Sequence, residues 1–297
     1  MVEFEVPEVD YTRYSNRQLV AVPLAVLAIA LAVIAGSYLL TGVPVTPGTD
    51  FTGGTEFHVA TDDSQADLEA LTGSEATVQP VGVGESEYII TVPPELTEST
   101  NDALRDDGYT EGEECAAGGG GTICSISERS AAFGQQAQQT ALLGVAAAFV
   151  GMSVLIFIAF RSVVPSIAVV ASAFSDIVIP VALMNVFGIK LTLGAVAALL
   201  MLIGYSVDSD ILLNNHILRR RGEFYESTYR AMRTGVTMTL TSLAAMIVMT
   251  IVSQAFGIPL LPDIALILVF GLAADLMNTY LMNVSLLRWW VYEGVAR

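Results

Sequence analysis

Four aspartates lie inside long apolar stretches of this 297-residue chain, and they are the side chains best suited to chemistry. They are Asp176, Asp208, Asp210 and Asp275, and Asn278 follows the last of them by one helical turn. A carboxylate at hydrocarbon depth is costly unless it is protonated, paired or hydrated, and such residues often mark ion or proton pathways. The pattern therefore indicates ion handling within a membrane.

Asp208 and Asp210 belong to the stretch GYSVDSDILLNN, which begins at Gly204. Residues two apart on a helix differ by about 200° in direction, so at most one of these carboxylates faces the polar interior of a helix bundle. We favour Asp208 as the functional group. Arg233 is the nearby arginine that could enter the bundle as its counter-charge, and a carboxylate with a movable arginine partner can load and unload a proton.

The other intramembrane polar residues have a simpler interpretation. Interhelical hydrogen bonds alone account for Asp176, Asp275 and Asn278. We therefore interpret these three as packing residues or minor cavity liners rather than ion carriers.

Six apolar runs are long enough to hold these residues in a bilayer, because crossing about 30 Å of hydrocarbon takes roughly 20 residues. The chain is 53% hydrophobic and 14% charged, with a mean hydropathy of +0.61, which excludes a simple soluble enzyme. The predicted spans are 19–40, 140–160, 163–187, 191–214, 236–256 and 260–291. We interpret the first as an uncleaved anchor, since it exceeds a signal-peptide core and follows an acidic segment.

Basic residues near the span ends predict the orientation. With both termini in the cytoplasm, ten arginines lie inside, and only Arg105, Arg129 and Lys190 lie outside. This orientation makes the chain a multi-pass protein of the cell membrane. The predicted organisation is a cytoplasmic N-terminus (1–18), a first span (19–40), an extracytoplasmic domain (41–137), a five-helix membrane domain (138–291) with a cytoplasmic loop (215–235), and a cytoplasmic tail (292–297).

The predicted outside segment is strongly acidic, with 18 of the chain's 30 acidic residues and only two arginines. Such a surface repels phosphate backbones, which argues against nucleic-acid binding. Because the whole chain has a single lysine, this composition suggests an organism that lives in high salt.

The same segment shows the pattern of one small folded domain. Strands are predicted at 55–60, 77–83, 88–92 and 123–127, with helices at 64–71 and 98–107. The order strand, helix, strand, strand, helix, strand is that of a ferredoxin-like unit. We therefore predict an α-helical polytopic membrane protein with six transmembrane helices and one extracytoplasmic α+β ferredoxin-like domain inserted between the first and second.

Cys115 and Cys124 are the only cysteines, and they flank a run of four glycines. A disulfide persists outside the cell, and a glycine-rich loop can close it. A disulfide is the favoured interpretation and two free thiols the alternative. His58 and His216 are isolated, so we predict no metal site.

Three motifs resemble the SecF family of the SecDF protein-export complex, which is related to the resistance-nodulation-division transporters. DFTGGTEF, containing Asp50, Phe51, Gly53 and Gly54, looks like the family's DFTGG signature. GYSVDSDILL, beginning at Gly204 and Tyr205, is similar to the fourth-span motif, and RAMRTG enters the fifth span. The six-span layout matches over essentially the whole chain.

This resemblance implies an accessory, non-enzymatic role in protein export, without a cofactor. The expected partners are SecD, the Sec translocon channel, the translocating polypeptide and the lipid bilayer. The family uses an ion gradient such as the proton motive force, with an aspartate in the fourth span and an arginine at the start of the fifth. The arginine carries over to Arg233.

The aspartate aligns less directly. The family's SecF pattern has Asn and Asp where this chain has Asp208 and Ser209, whereas Val207-Asp208-Ser209 follows the register of SecD partners. Asp208 is our first choice for the ion carrier and Asp210 the second. The pair Gly53-Gly54 is interpreted either as a hinge for the outside domain or as a site of tight packing.

Other functions remain as alternatives. An ion-coupled small-molecule transporter half of the related superfamily would also use intramembrane acids. An intramembrane aspartyl protease needs two facing aspartates, and GYSVDSD does not supply that spacing. A structural scaffold is the third alternative.

Overall fold

The computed structural model describes residues 11–81, 86–112, 121–219 and 224–294. Six helical segments in these ranges are long and apolar enough to cross a membrane, which confirms the predicted number. The first five are α1 (Asn16–Thr41), α5 (Ala131–Phe160), α6 (Val163–Phe187), α7 (Leu193–Arg219) and α8 (Phe224–Ala255). Helical structure extends from both sides into the predicted loop 215–235, and residues 220–223 of that loop lie outside the description.

The sixth span is a helix whose winding changes along its length. It begins as α9 (Leu261–Met277), widens into a π-helical segment (Asn278–Asn283), continues as α10 (Val284–Trp289) and widens again at Trp290–Gly294. The sequence pattern predicts one uninterrupted span here. A π turn holds an extra residue, so it changes which side chains face the bundle interior, and π segments often occur at functional sites.

A small domain built on a five-stranded sheet, called the sheet domain below, is inserted between α1 and α5. Its first elements are α2 (Thr49–Thr52), β1 (Gly54–Ala60), α3 (Gln65–Thr72) and β2 (Thr77–Pro80). They are followed by β3 (Glu87–Val92), α4 (Thr97–Asp106), β4 (Thr110–Glu111) and β5 (Thr122–Arg129). Residues 82–83 of the predicted second strand lie outside the described ranges.

The strand order is β2-β3-β1-β5-β4, and the first four strands pair antiparallel. This order confirms the ferredoxin-like prediction, and the two-residue β4 adds a parallel edge strand. Alternate residues of the central strands enter the core, where Phe57, Ile90, Leu68 and Leu104 are fully or almost fully buried. α3 and α4 cover that face because Leu68 and Leu104 point into it.

The helix bundle is organised around α6 and the sixth span, which are far more enclosed than α1, α5 or α8. α7 packs against both of them. Polar side chains that these three segments turn towards one another are therefore removed from both lipid and water.

Candidate functional site

Three carboxylates lie buried at the centre of the bundle. Asp176 of α6 and Asp210 of α7 are fully buried, and Asp275 of α9 is 1% exposed. Each comes from a different helix, so the cluster exists only because α6, α7 and α9 pack together.

Asp176 is held by donors from two neighbouring segments. Ser206 Oγ donates to Oδ2 of Asp176 at 2.5 Å, and Asn278 Nδ2 donates to Oδ1 at 2.6 Å. Ser206 and Asn278 are themselves fully buried. The carboxylate is therefore joined to α7 on one side and to the π-helical segment on the other.

Asp210 and Asp275 share one hydroxyl. Thr279 Oγ1 lies 2.9 Å from Oδ1 of Asp210 and 3.2 Å from Oδ1 of Asp275, and its single hydrogen can serve one of them at a time. Asn283 Nδ2 also donates to Oδ1 of Asp210 at 2.8 Å, and Ser209 Oγ donates to Oδ1 of Asp275 at 2.8 Å. Within the described part of the chain, Oδ2 of Asp210 is buried without a hydrogen-bond partner.

The π-helical segment supplies three of the donors, namely Asn278, Thr279 and Asn283. The sequence reading identified Asn278 but missed Thr279 and Asn283. The signal that could have found them is the stretch NTYLMN, whose polar residues interrupt an otherwise apolar span.

Asp208 occupies a different environment from Asp210. It is exposed on the outer face of α7, where it lines a cavity of about 380 Å³ between α7, α8 and α9. Ser209 and Asp275 line the same cavity. The structure confirms that only one of the two carboxylates faces the interior, and the interior residue is Asp210, whereas the sequence reading favoured Asp208.

Gly204, Tyr205 and Arg233 of the fourth- and fifth-span motifs lie nearer the surface. Gly204 and Tyr205 are exposed on α7, and Tyr205 lines the same cavity as Asp208. Arg233 is exposed on α8, two residues before Gly235, which also lines that cavity. Residues two apart on a helix differ by about 200° in direction, so Arg233 lies on the side of α8 away from the cavity and outside the buried cluster.

The DFTGG residues form the junction between α1 and the sheet domain. Asp50 and Phe51 are buried. Gly53 and Gly54 both have positive φ angles, of 77° and 146°, and a Cβ on Gly54 would lie only 2.5 Å from the carbonyl oxygen of Val92. The close approach at Gly54 is tight packing, one of the two interpretations of this glycine pair.

One of the two cysteines lies in the described part of the chain. Cys124 lies in β5 and is disulfide-bonded, whereas Cys115 lies outside the described residues. Throughout the described ranges, no group of three or more His, Cys, Asp or Glu side chains is arranged to hold a metal ion.

A ferredoxin-like domain inserted after the first of six spans, above a bundle with buried carboxylates, defines a polytopic membrane protein with the SecDF fold. The family model described as "Protein export membrane protein SecD/SecF, C-terminal" matches residues 119–293. The crystal structure of SecDF from Thermus thermophilus superposes with a TM-score of 0.69 at 20% identity, over 96% of this chain and 39% of that one. At this identity the likeness concerns the fold.

Full-length relatives give the more specific assignment. The protein-export membrane protein SecF of Haloferax volcanii is 62% identical over all of both chains, and that of Haloquadratum walsbyi is 60% identical over the same extent. SecF of Methanolacinia petrolearia is 40% identical over 96% of this chain and 97% of its own. The chain belongs to the SecF family of protein-export membrane proteins, whose members are accessory subunits of the Sec translocase.

Proposed function

We propose that this chain, with a SecD partner, uses an ion gradient to promote protein export through the Sec channel, and that Asp210 takes up and releases the ion. The observation that carries the proposal is the buried Oδ2 atom of Asp210, which lacks a partner among the described residues, beside two further buried carboxylates. That oxygen is the atom at which a proton or cation would bind.

The chemistry of the cluster favours reversible ion binding. The hydrogen bonds described for Asp176, Asp210 and Asp275 come from neutral hydroxyl and amide groups. Three ionised carboxylates in such a setting would carry a large uncompensated charge, which is costly in a low-dielectric interior. Protons or cations must therefore accompany the carboxylates, and their number can change with the state of the bundle.

The cavity between α7, α8 and α9 supplies an entrance. Asp208, Ser209 and Asp275 all line this cavity. From there, Ser209 bonds to Asp275, and Thr279 lies between Asp275 and Asp210. In this scheme Asp208 attracts the ion to the cavity, and Asp210 is the inner acceptor.

The exposed side of α7 also favours a membrane partner. Asp208 and Tyr205 face outward on a helix that spans the hydrocarbon region, where an ionisable side chain is normally covered by protein or water. A SecD subunit packed on this face would cover Asp208. In the proposed orientation, which the basic residues near the span ends support, both termini lie in the cytoplasm and the sheet domain lies outside, where it can meet the translocating polypeptide.

The test is export of a secreted reporter in cells whose only copy of this subunit carries a substitution. Asp210→Asn keeps the size of the side chain but removes the titratable group, and we expect export to fall at least tenfold. Asp208→Asn should reduce export less, by a few-fold, because it affects entry alone. Glu226→Gln, an exposed carboxylate on α8, is the matched control and should leave export unchanged.

Membrane abundance is measured for every variant. Normal export by Asp210→Asn at normal abundance would refute the assignment, as would a complete loss with Asp208→Asn alone. Ion movement into vesicles that contain the chain and its SecD partner, driven by a proton gradient or by a sodium gradient, identifies the ion.

A further inference from the structure

Asp50 contacts two residues, Leu193 and Arg129, that take no part in the proposed ion site. It lies in α2, at the entry to the sheet domain, and is 9% exposed. Its Oδ2 accepts a hydrogen bond from the backbone N–H of Leu193 at 2.9 Å, and its Oδ1 lies 3.0 Å from Nη1 of Arg129. One carboxylate therefore contacts two distant parts of the chain.

Each of these two contacts is made at the end of a helix or strand. Leu193 is the first residue of α7, the helix that carries Asp210. Arg129 is the last residue of β5, two residues before the start of α5 at Ala131. Asp50 thus connects the entry and the exit of the sheet domain to the N-terminus of α7.

The contact with α7 is physically favourable. The first amides of a helix lack partners within the helix, and the helix dipole favours a negative charge at that end. Thr192 accepts from the N–H of Ala195 at 3.0 Å, so Thr192 and Asp50 together satisfy two of these amides. From Leu193 to Asp210 the helix is roughly 26 Å long at 1.5 Å per residue.

Neighbouring backbone contacts hold Asp50 in place. The N–H of Gly48 donates to the carbonyl of Leu191 at 2.7 Å, and the N–H of Leu191 donates to the carbonyl of Thr46 at 2.8 Å. On the other side, a Cβ on Gly134 would overlap the carbonyl of Phe51, so α2 lies directly against the first turn of α5. Residues 46–51, at the entry to the sheet domain, therefore contact both α5 and the residues just before α7.

We propose that Asp50 is a positioning residue that transmits displacement of α7 to the sheet domain. This inference rests on the proposed function, in which Asp210 takes up and releases the ion, and it adds that ion binding at Asp210 shifts α7. When α7 shifts, the N–H of Leu193 displaces the Asp50 carboxylate. The ion pair between Asp50 and Arg129 then transmits this displacement to the two places where the chain enters and leaves the sheet domain. The link converts ion binding in the bundle into movement of the domain that meets the exported chain.

The experiment uses the full chain with its SecD partner and separates ion movement from export. Asp50→Ala removes both contacts, and Arg129→Gln removes the ion pair alone. For Asp50→Ala we expect ion movement in vesicles within twofold of wild type and reporter export reduced at least fivefold. Asp50→Asn should be intermediate, since its amide oxygen still accepts from Leu193. Asp106→Ala, an exposed carboxylate in the sheet domain, is the matched control.

A merely structural role gives a different result. If Asp50 only caps α7, ion movement and export fall in the same proportion as membrane abundance, and the proposal is overturned; unchanged export overturns it as well. The double variant Asp50→Ala with Arg129→Gln should be no worse than Asp50→Ala alone, and additive losses would contradict a shared link. If Asp50→Ala fails to reach the membrane, Arg129→Gln decides by the same comparison. Asp210→Asn in the same assays tests the proposed function independently of the link.

Discussion

Gly235 of α8 faces the hydroxyl of Tyr280 in the π-helical segment so closely that a Cβ at position 235 would overlap that oxygen. Both residues are buried. The contact brings α8, which carries Arg233, directly against the segment that supplies the donors of the carboxylate cluster. Glycine at the end of the RAMRTG stretch is therefore explained by packing.

We expect Gly235→Ala to destabilise the protein by about 1–3 kcal/mol, the usual cost of overpacking a closely packed interior. Tyr280→Phe removes the obstructing oxygen. The double variant Gly235→Ala with Tyr280→Phe should therefore recover most of the lost stability. The measurement is the midpoint of thermal unfolding of the purified protein in detergent. A double variant as unstable as Gly235→Ala would show that the Tyr280 hydroxyl is not the obstacle.

Thr279 is expected to control transfer of the ion between Asp275 and Asp210, because its hydroxyl lies within hydrogen-bonding distance of both carboxylates. Thr279→Val keeps the shape and removes the hydroxyl. A hydrogen bond to a charged group contributes about 1.5–3 kcal/mol, so ion movement in vesicles should slow by about tenfold or more. Thr279→Ser restores the hydroxyl and should retain most of the activity. Equal rates for the Val and Ser variants would contradict this role.

Asn278 is expected to stabilise the bundle through its 2.6 Å hydrogen bond to Asp176. Asn278→Ala leaves a fully buried carboxylate oxygen without that donor, which should cost about 2 kcal/mol. Asn215→Ala is the matched control, since Asn215 is exposed on α7, and its effect should stay within about 0.5 kcal/mol. The free energy of unfolding of both variants is measured in detergent. Equal losses of stability would argue against the buried hydrogen bond as the cause.

The sheet domain provides a pH-dependent prediction. Ser64 Oγ donates to Oδ2 of Asp67 at 2.6 Å, and this hydrogen bond with that from the Ser64 N–H lowers the pKa of Asp67 below its usual 3.8. A lowered folded-state pKa adds stability above the unfolded-state pKa and loses it as the pH falls through the folded-state pKa. Ser64→Ala should therefore lower the unfolding midpoint at about pH 7 by a few degrees.

The difference between wild type and Ser64→Ala should narrow near about pH 3, where the Asp67 contribution is being lost. Ser74→Ala, an exposed serine just beyond α3, serves as the control. A difference that stays constant or widens towards acid pH would be inconsistent with the hydrogen bonds between Ser64 and Asp67.

Local patterns in the chain were sufficient to predict much of the architecture. The number of spans follows from run length and composition, and the order of strands and helices in the sheet domain follows from alternation and turns. The short α2 and β4 were not predicted, because segments of four and two residues carry too little periodic signal. The change to π winding at Asn278 was also missed, since the run of apolar residues continues through it.

The site was less predictable than the fold. Helical spacing established that Asp208 and Asp210 face in different directions, but it could not say which direction is inward. That depends on how α7 is rotated against α6 and α9, and the structure shows that the buried residue is Asp210. Asp176 and Asp275, interpreted from the sequence as packing residues, prove to be its neighbours.

The sequence by itself determined the membrane class, the six spans, the ferredoxin-like insertion and the family motifs, because each depends on residues close together in the chain. Only the tertiary structure decided which carboxylates meet and what holds them. Asp210 and Asn283 are 73 residues apart, and Asp50 and Leu193 are 143 apart. Such pairs form through the packing of whole helices, whose rotation and depth are set by the sum of many contacts and leave no local pattern in the sequence.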